Sequence, residues 1–163
     1  MIKVYLRWSV IFIFLIVLQT TILDYFVIFG YKPDLLLIAL VFLTLTYGQI
    51  TGIIVAFVSG FILDLLSGGV VGSSSLSKVI AAFICGYFYN ENRIDIVLRN
   101  YTFILIVLLI SFIDNIVHSL IVFSIDIPTM MRIIFAYGIY PALYTAIVSS
   151  VILMRPGKKV FKT

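Results

Sequence analysis

The sequence predicts an all-α membrane protein, a compact bundle of six transmembrane helices in a single domain over residues 1–163. Of its 163 residues, 63% are hydrophobic and only 11% are charged, against about 45–50% and 25% in an average soluble domain. A mean hydropathy of +1.25 leaves too few polar side chains to cover a water-soluble fold. The apolar runs also lack the alternation of polar and apolar residues that is typical of a membrane β-barrel. Helices are therefore expected to cross the bilayer.

The first predicted span covers residues 5–29, which exceeds the roughly 20 residues that a helix needs to cross the hydrocarbon layer. It resembles a signal peptide at its start, where Lys3 and Arg7 precede the apolar run. No small-residue cleavage site follows, so we expect an uncleaved span.

The next two spans share one apolar stretch. From residue 35 to residue 77 the only charged side chain is Asp64, and this length is too great for one crossing. The stretch predicts two helices, over residues 34–47 and 49–66, with a break near Gly48. Asp34 begins the first of them just after Pro33, where its carboxylate is expected to cap the exposed amides.

Three further spans are predicted over residues 76–89, 101–125 and 133–154. The fourth has only about 14 residues, roughly 21 Å of helix, so it is too short to cross unaided. Five spans with one re-entrant segment are the alternative. In the last span, Pro141 is expected to kink the helix.

The segment before the fourth span, residues 65–77, is rich in glycine and serine. We expect it to be irregular and to dip toward the bundle, because irregular backbone at membrane depth must be surrounded by protein or water. In transporters such breaks mark binding sites.

The basic residues predict an orientation with both termini in the cytoplasm, since Lys and Arg favour the inner side. With six spans, eight of the eleven fall inside, and the three outside are Lys32, Lys78 and Arg132. Because they flank apolar runs instead of forming a solvated basic face, we expect lipid contact and no nucleic-acid binding.

Ionisable and other strongly polar side chains are energetically unfavourable at membrane depth, so each of them is a candidate functional residue. In the predicted spans they are Asp24, Asp64, Lys78, Asp114, Asn115 and His118. An ion pair between Asp64 and Lys78 that pins the glycine-rich segment is one expectation. A second expectation is that Asp114 and His118, four residues apart, satisfy each other's hydrogen-bonding groups. The alternatives for this pair are a proton relay or a contact with a partner protein.

Small residues recur at helical spacing on two predicted spans. Gly52, Ala56 and Gly60 give the third span a face that a neighbouring backbone can approach closely. Lys78, Ala82 and Gly86 form a similar face on the fourth.

The sequence contains no recognisable catalytic constellation. A lone His118 and a lone Cys85 cannot supply the three or four ligands of a metal site, and there is neither a nucleophile elbow nor a phosphate-binding loop. We expect neither an enzyme nor a bound cofactor or metal.

Two motifs resemble the MreD family of rod-shape-determining proteins. Residues 32–38 read KPDLLLI and residues 60–72 read GFILDLLSGGVVG, which match the family's PDLLL start of the second helix and its G-x-x-x-D-x-x-S-G-x-x-x-G turn after the third. The matching positions, which the resemblance marks as fold-defining or partner-binding, are Pro33, Asp34, Gly60, Asp64, Gly68, Gly69 and Gly72.

The resemblance implies a non-enzymatic component of the bacterial cell-elongation machinery in the cytoplasmic membrane. Such proteins bind MreC and act with RodA, a class B penicillin-binding protein and, indirectly, MreB in lateral peptidoglycan synthesis. The family is also similar to the S-components of energy-coupling-factor transporters, which are six-helix bundles.

Two functional hypotheses follow. In the first, the protein is a scaffold whose small-residue faces, including Gly52 and Gly60, pack a partner's transmembrane helix. In the second, it is the substrate-binding subunit of a vitamin-type transporter, with Asp64, Lys78 and His118 in an outward-facing site.

Overall fold

The computed structural model describes residues 2–21, 31–68, 70–91, 94–99, 101–122 and 133–153, and every regular element in them is a helix, which confirms the predicted all-α class. Asp24 and Gly69 lie outside the described residues, as does the basic C-terminal segment. The helices are α1 (Ile2–Thr21), α2 (Leu35–Tyr47), α3 (Gln49–Ser67), α4 (Ser73–Gly86), α5 (Ile94–Arg99), α6 (Tyr101–Val122) and, after a π-helical segment (Ile133–Ile139), α7 (Tyr140–Leu153).

Helix α2 lies at the centre of the core and is apolar all round, as expected of a buried helix. Leu36, Leu37 and Leu40 are almost wholly inaccessible. Its contacts with α1 show that the two helices are antiparallel. Near the start of α1, Trp8 Nε1 donates to the hydroxyl of Tyr47 at the end of α2, at 3.2 Å.

The break between α2 and α3 falls at Gly48, as the sequence predicts. Gly48 has φ +91°, a conformation that glycine adopts without steric cost. The chain reverses sharply here, so that Gly52 in the first turn of α3 packs directly on Thr44 in the last turn of α2.

Helices α3 and α4 form an antiparallel hairpin, and its turn is shorter than predicted. Gln49 at the start of α3 donates to the carbonyl oxygen of Phe83 near the end of α4, at 2.8 Å. The expectation of an irregular segment over residues 65–77 is wrong at both ends. Helix α3 continues to Ser67, and the serines from Ser73 onward form the first turns of α4.

Helix α6 packs against α4 and α2, antiparallel to α2. Near its start, the ring of Phe103 meets that of Phe42 edge to face at 6.4 Å. The described part of the chain therefore alternates in direction: α1, α3 and α6 run one way, and α2 and α4 run the other.

The last helix changes type where Pro141 interrupts it. The turns up to Ile139 are π-helical and α7 follows from Tyr140. Proline has no N–H, and its ring clashes with the carbonyl group four residues earlier in a regular α-helix. The wider π-helical turns relieve that clash, and the kink expected at Pro141 stays a prediction.

Two of the described helices, α3 and α6, are long and apolar enough to cross a bilayer by themselves. The shorter apolar helices include α2 and α4, with 13 and 14 residues, or roughly 20 Å each. Six crossings therefore remain a prediction.

Candidate functional site

Two clusters of buried polar side chains lie inside the bundle. The capping cluster consists of Asp64 and the backbone and hydroxyl groups of residues 72–75. The ion triad consists of Asp34, Lys78 and Asp114. Both involve the N-terminal half of α4, whose Ser73, Ser74, Ser75, Ser77 and Lys78 are buried.

Asp64 is the acceptor of the capping cluster. It lies in the last turn of α3 and is 2% exposed. Its carboxylate oxygens accept from the backbone N–H groups of Gly72 at 2.9 Å, Ser74 at 3.1 Å and Ser75 at 3.3 Å. The first N–H groups of any helix have no partner within that helix. Asp64 supplies those partners for α4 from a different helix.

Two glycines make this geometry possible. Gly68 ends α3 with φ +67° and Gly72 precedes α4 with φ +95°, both in the left-handed region that favours glycine. Chain neighbours aside, no atom of the described residues lies within 4 Å of the position that a Cβ would occupy at either glycine. Their conformation, and not a lack of space, is therefore what requires glycine.

Lys78 is the central group of the ion triad. Its ammonium nitrogen lies 2.5 Å from Asp34 Oδ2 and 3.2 Å from Asp114 Oδ2, and its side chain is 3% exposed. The predicted Asp64–Lys78 pair is therefore wrong. The two side chains serve different clusters, because Asp64 points at the start of α4 whereas Lys78 lies further along that helix.

Asp34 also caps helix α2, as the sequence predicts. Its Oδ1 accepts from the backbone N–H of Leu37 at 2.8 Å and from Gln19 Nε2 at 3.2 Å. The backbone N–H of Asp34 donates to Thr145 Oγ1 of α7 at 3.1 Å. Sequence reasoning missed Gln19 and Thr145, since no local pattern reveals a partner that lies 15 or 111 positions away.

On α6, Asp114 and His118 do not satisfy each other as expected. The partner of Asp114 is Lys78 and not His118, which lies half-buried one turn further on. Asn115 donates to the carbonyl oxygen of Ser111 in its own helix at 2.7 Å. The structure therefore joins Asp114 to α2 and α4.

The small-residue face of α3 is filled by the protein's own helices. A Cβ on Gly60 would lie 2.7 Å from Ser75 Cα and 2.8 Å from the carbonyl oxygen of Ser74. Gly52 faces Thr44 in the same way. Both positions define the packing of α3 against α2 and α4, which leaves no room there for a partner's helix.

Chemically, both clusters join helices. Each places an ionised group against hydrogen-bond partners of opposite polarity, an arrangement that favours one helix register over others. Among the described residues there is no group of three or more His, Cys, Asp or Glu side chains that could hold a metal ion.

A family model described as "rod shape-determining protein MreD" matches residues 1–161. Neither the curated proteins nor the solved structures include a match.

Proposed function

Because the chain belongs to the MreD family of rod shape-determining proteins, we propose that it is a non-enzymatic scaffold of the elongation machinery that binds MreC in the membrane. Through MreC it helps to organise RodA and a class B penicillin-binding protein for lateral peptidoglycan synthesis, with MreB reached indirectly.

The internal use of its polar groups supports a scaffold. The carboxylates of Asp34 and Asp64 and the ammonium group of Lys78 are hydrogen-bonded to other parts of the same chain. Asp64 and Lys78 belong to the outward-facing site of the transporter hypothesis, and both are bonded instead to the protein's own helices.

The observation that carries the proposal is the outer face of α3. On the side opposite Gly52 and Gly60, this helix exposes a continuous apolar stripe, which we call the α3 stripe: Ile50, Ile54, Phe57, Val58, Phe61 and Leu65. The rings of Phe57 and Phe61 are stacked, with centroids 6.3 Å apart. This aromatic pair gives the stripe a defined ridge.

The dimensions of the α3 stripe fit one transmembrane helix. Its residues recur three and four positions apart over 16 residues, which is roughly 22 Å along the helix axis. It contains no polar side chain, so an occupant at the same depth must itself be apolar. Association in lipid then depends on shape and van der Waals packing, which stacked aromatic rings provide.

The alternating helix directions support the proposed location, a multi-pass protein of the bacterial cytoplasmic membrane. Six crossings put both termini on one side of the membrane, and the distribution of basic residues favours the cytoplasm. The ion triad then lies in the outer half of the bundle. The S-component fold of energy-coupling-factor transporters is part of the same proposal.

Co-purification with MreC in mild detergent tests the scaffold. Changing both Phe57 and Phe61 to alanine is expected to lower MreC recovery at least roughly tenfold, since loss of central aromatic contacts costs about 2 kcal/mol or more. The matched control is Phe14→Ala, which removes a 63% exposed phenylalanine from α1 and is expected to leave recovery unchanged. Equal recovery from the double variant and the wild type would contradict the α3 stripe as the contact face.

A further inference from the structure

The ion triad contains two carboxylates and one ammonium group. The side chains of Asp34, Lys78 and Asp114 are 17%, 3% and 7% exposed, respectively. With all three ionised, the triad would hold one negative charge in excess inside the bundle. A buried charge without a counter-charge is strongly unfavourable, and such a group becomes neutral by taking up or losing a proton.

Hydrogen bonding distinguishes the two carboxylates. Both oxygens of Asp34 have partners: Oδ1 accepts from Leu37 and Gln19, and Oδ2 lies 2.5 Å from Lys78 Nζ. Donors on both oxygens stabilise the ionised form. Asp34 is therefore the carboxylate that forms the close ion pair with Lys78.

Asp114 has a much poorer set of donors. Its Oδ2 lies 3.2 Å from Lys78 Nζ, and its Oδ1 is fully buried without a hydrogen-bond partner in the described part of the chain. An ionised carboxylate can only accept hydrogen bonds, whereas a protonated one also donates. An ionised Oδ1 would thus remain unsatisfied at this position.

Ser77 does not satisfy this oxygen, because its hydroxyl is directed to the carbonyl oxygen of Ser74 at 3.2 Å. Protonation of Asp114 makes the triad neutral and removes the unpaired anionic acceptor at Oδ1.

The charged groups that act on Asp114 are Lys78 from α4 and Asp34 from the start of α2. On α6 itself, His118 lies one turn away. The remaining titratable residues on the elements packed against α6 are Tyr47 of α2, Cys85 of α4, Asp95 and Arg99 of α5, Tyr137 of the π-helical segment, and Tyr140 and Tyr144 of α7.

We infer that Asp114 is a proton-binding site, at which a proton on Oδ1 neutralises the excess charge of the ion triad at neutral pH. The proton holds α6 against the Asp34–Lys78 pair. Its release would leave an uncompensated negative charge among α2, α4 and α6 and would loosen their packing. The inference does not depend on MreC binding.

Infrared spectroscopy of the purified full-length protein tests this inference directly. The protein is kept in a maltoside detergent, which has no carbonyl group, and its aspartates are labelled with ¹³C at the carboxyl carbon. We expect the carbonyl band of a protonated carboxylic acid at pH 7, displaced by the label, and its loss in Asp114→Asn. In the control Glu91→Gln, which changes an exposed acid, the band is expected to persist.

Three results would overturn the inference. One is the absence of a protonated-carboxyl band in the folded wild-type protein at pH 7, and another is its persistence in Asp114→Asn. The third is failure of Asp114→Asn to fold, because asparagine matches the neutral form in shape and charge and is expected to be tolerated. By contrast, Asp34→Asn removes the closer carboxylate partner of Lys78 and is expected to lower the unfolding temperature.

Discussion

At the scale of single residues, Asp64 contributes more than an ordinary helix cap because it caps a helix other than its own. Three backbone N–H groups at the start of α4 point at one carboxylate, where the positive end of the helix dipole also stabilises negative charge. The residue before α4 is Gly72, which has no side chain to do this.

Replacement of Asp64 by alanine is therefore expected to destabilise the fold. Loss of these charge-assisted hydrogen bonds should cost about 2–3 kcal/mol, and Asp64→Asn should cost less because one accepting oxygen remains. Thermal unfolding in detergent measures both variants against Glu91→Gln as the control. An unfolding temperature for Asp64→Ala equal to that of the control would show that the cap contributes nothing.

Lys78 is the second residue on which the fold depends. Lys78→Met keeps most of the side-chain volume but removes the counter-charge of Asp34, which must then stay ionised and unpaired or take up a proton. Removing one partner of a buried ion pair costs about 3–5 kcal/mol, so the variant should unfold at a markedly lower temperature than the wild type.

The double variant Asp34→Asn, Lys78→Met separates charge from packing. Asparagine is a good N-cap, so the start of α2 keeps its cap while both charges are removed. We expect the double variant to be more stable than Lys78→Met alone. If the two were equally unstable, the loss would come from packing around Lys78 and not from its charge.

At the scale of helices, close backbone approach joins α3 to α4. Gly60 lies against the backbone of Ser74 and Ser75, and Ser75 Oγ donates to the carbonyl oxygen of Phe57 at 3.2 Å. A side chain at position 60 would push the two helices apart and would weaken the capping cluster at the same time.

Gly60→Ala is expected to destabilise the protein by about 1–3 kcal/mol, the usual cost of overpacking, and Gly60→Leu by more. Val58→Leu, on the exposed side of the same helix, is the matched control and should change stability little. The stability of Gly60→Leu is measured before any MreC assay. If the variant is unfolded, a lower recovery of MreC reports that unfolding and not the loss of a contact. A normally stable Gly60→Leu would contradict the packing of α3 on α4.

The features that can be predicted from this sequence are those that depend on neighbouring residues. The break at Gly48 and the cap at Asp34 depend on residues within four positions, and both are present in the structure. The partners of Lys78 lie 44 and 36 positions away, so nothing in the sequence distinguished them from the nearer Asp64. The sequence predicts a loop for the serines of α4, because the acceptor that stabilises the start of that helix, Asp64, belongs to α3.

At the scale of the whole molecule, the two polar clusters and the α3 stripe lie on different parts of the bundle. The clusters are interior and join α2, α3, α4 and α6, whereas the α3 stripe is exposed along its length. A protein built in this way can present one rigid apolar face to another membrane protein while its own helices are held in register. This division of roles is the central claim of the scaffold proposal.

Site-specific photocrosslinking in living cells tests that claim most directly. A photoreactive amino acid is placed at Phe57 of the α3 stripe, which is 56% exposed, or at Phe14 of α1, which is 63% exposed. The scaffold proposal predicts a crosslink to MreC from position 57 and none from position 14. A crosslink from position 14 alone, or none from position 57 while MreC still co-purifies, would contradict it.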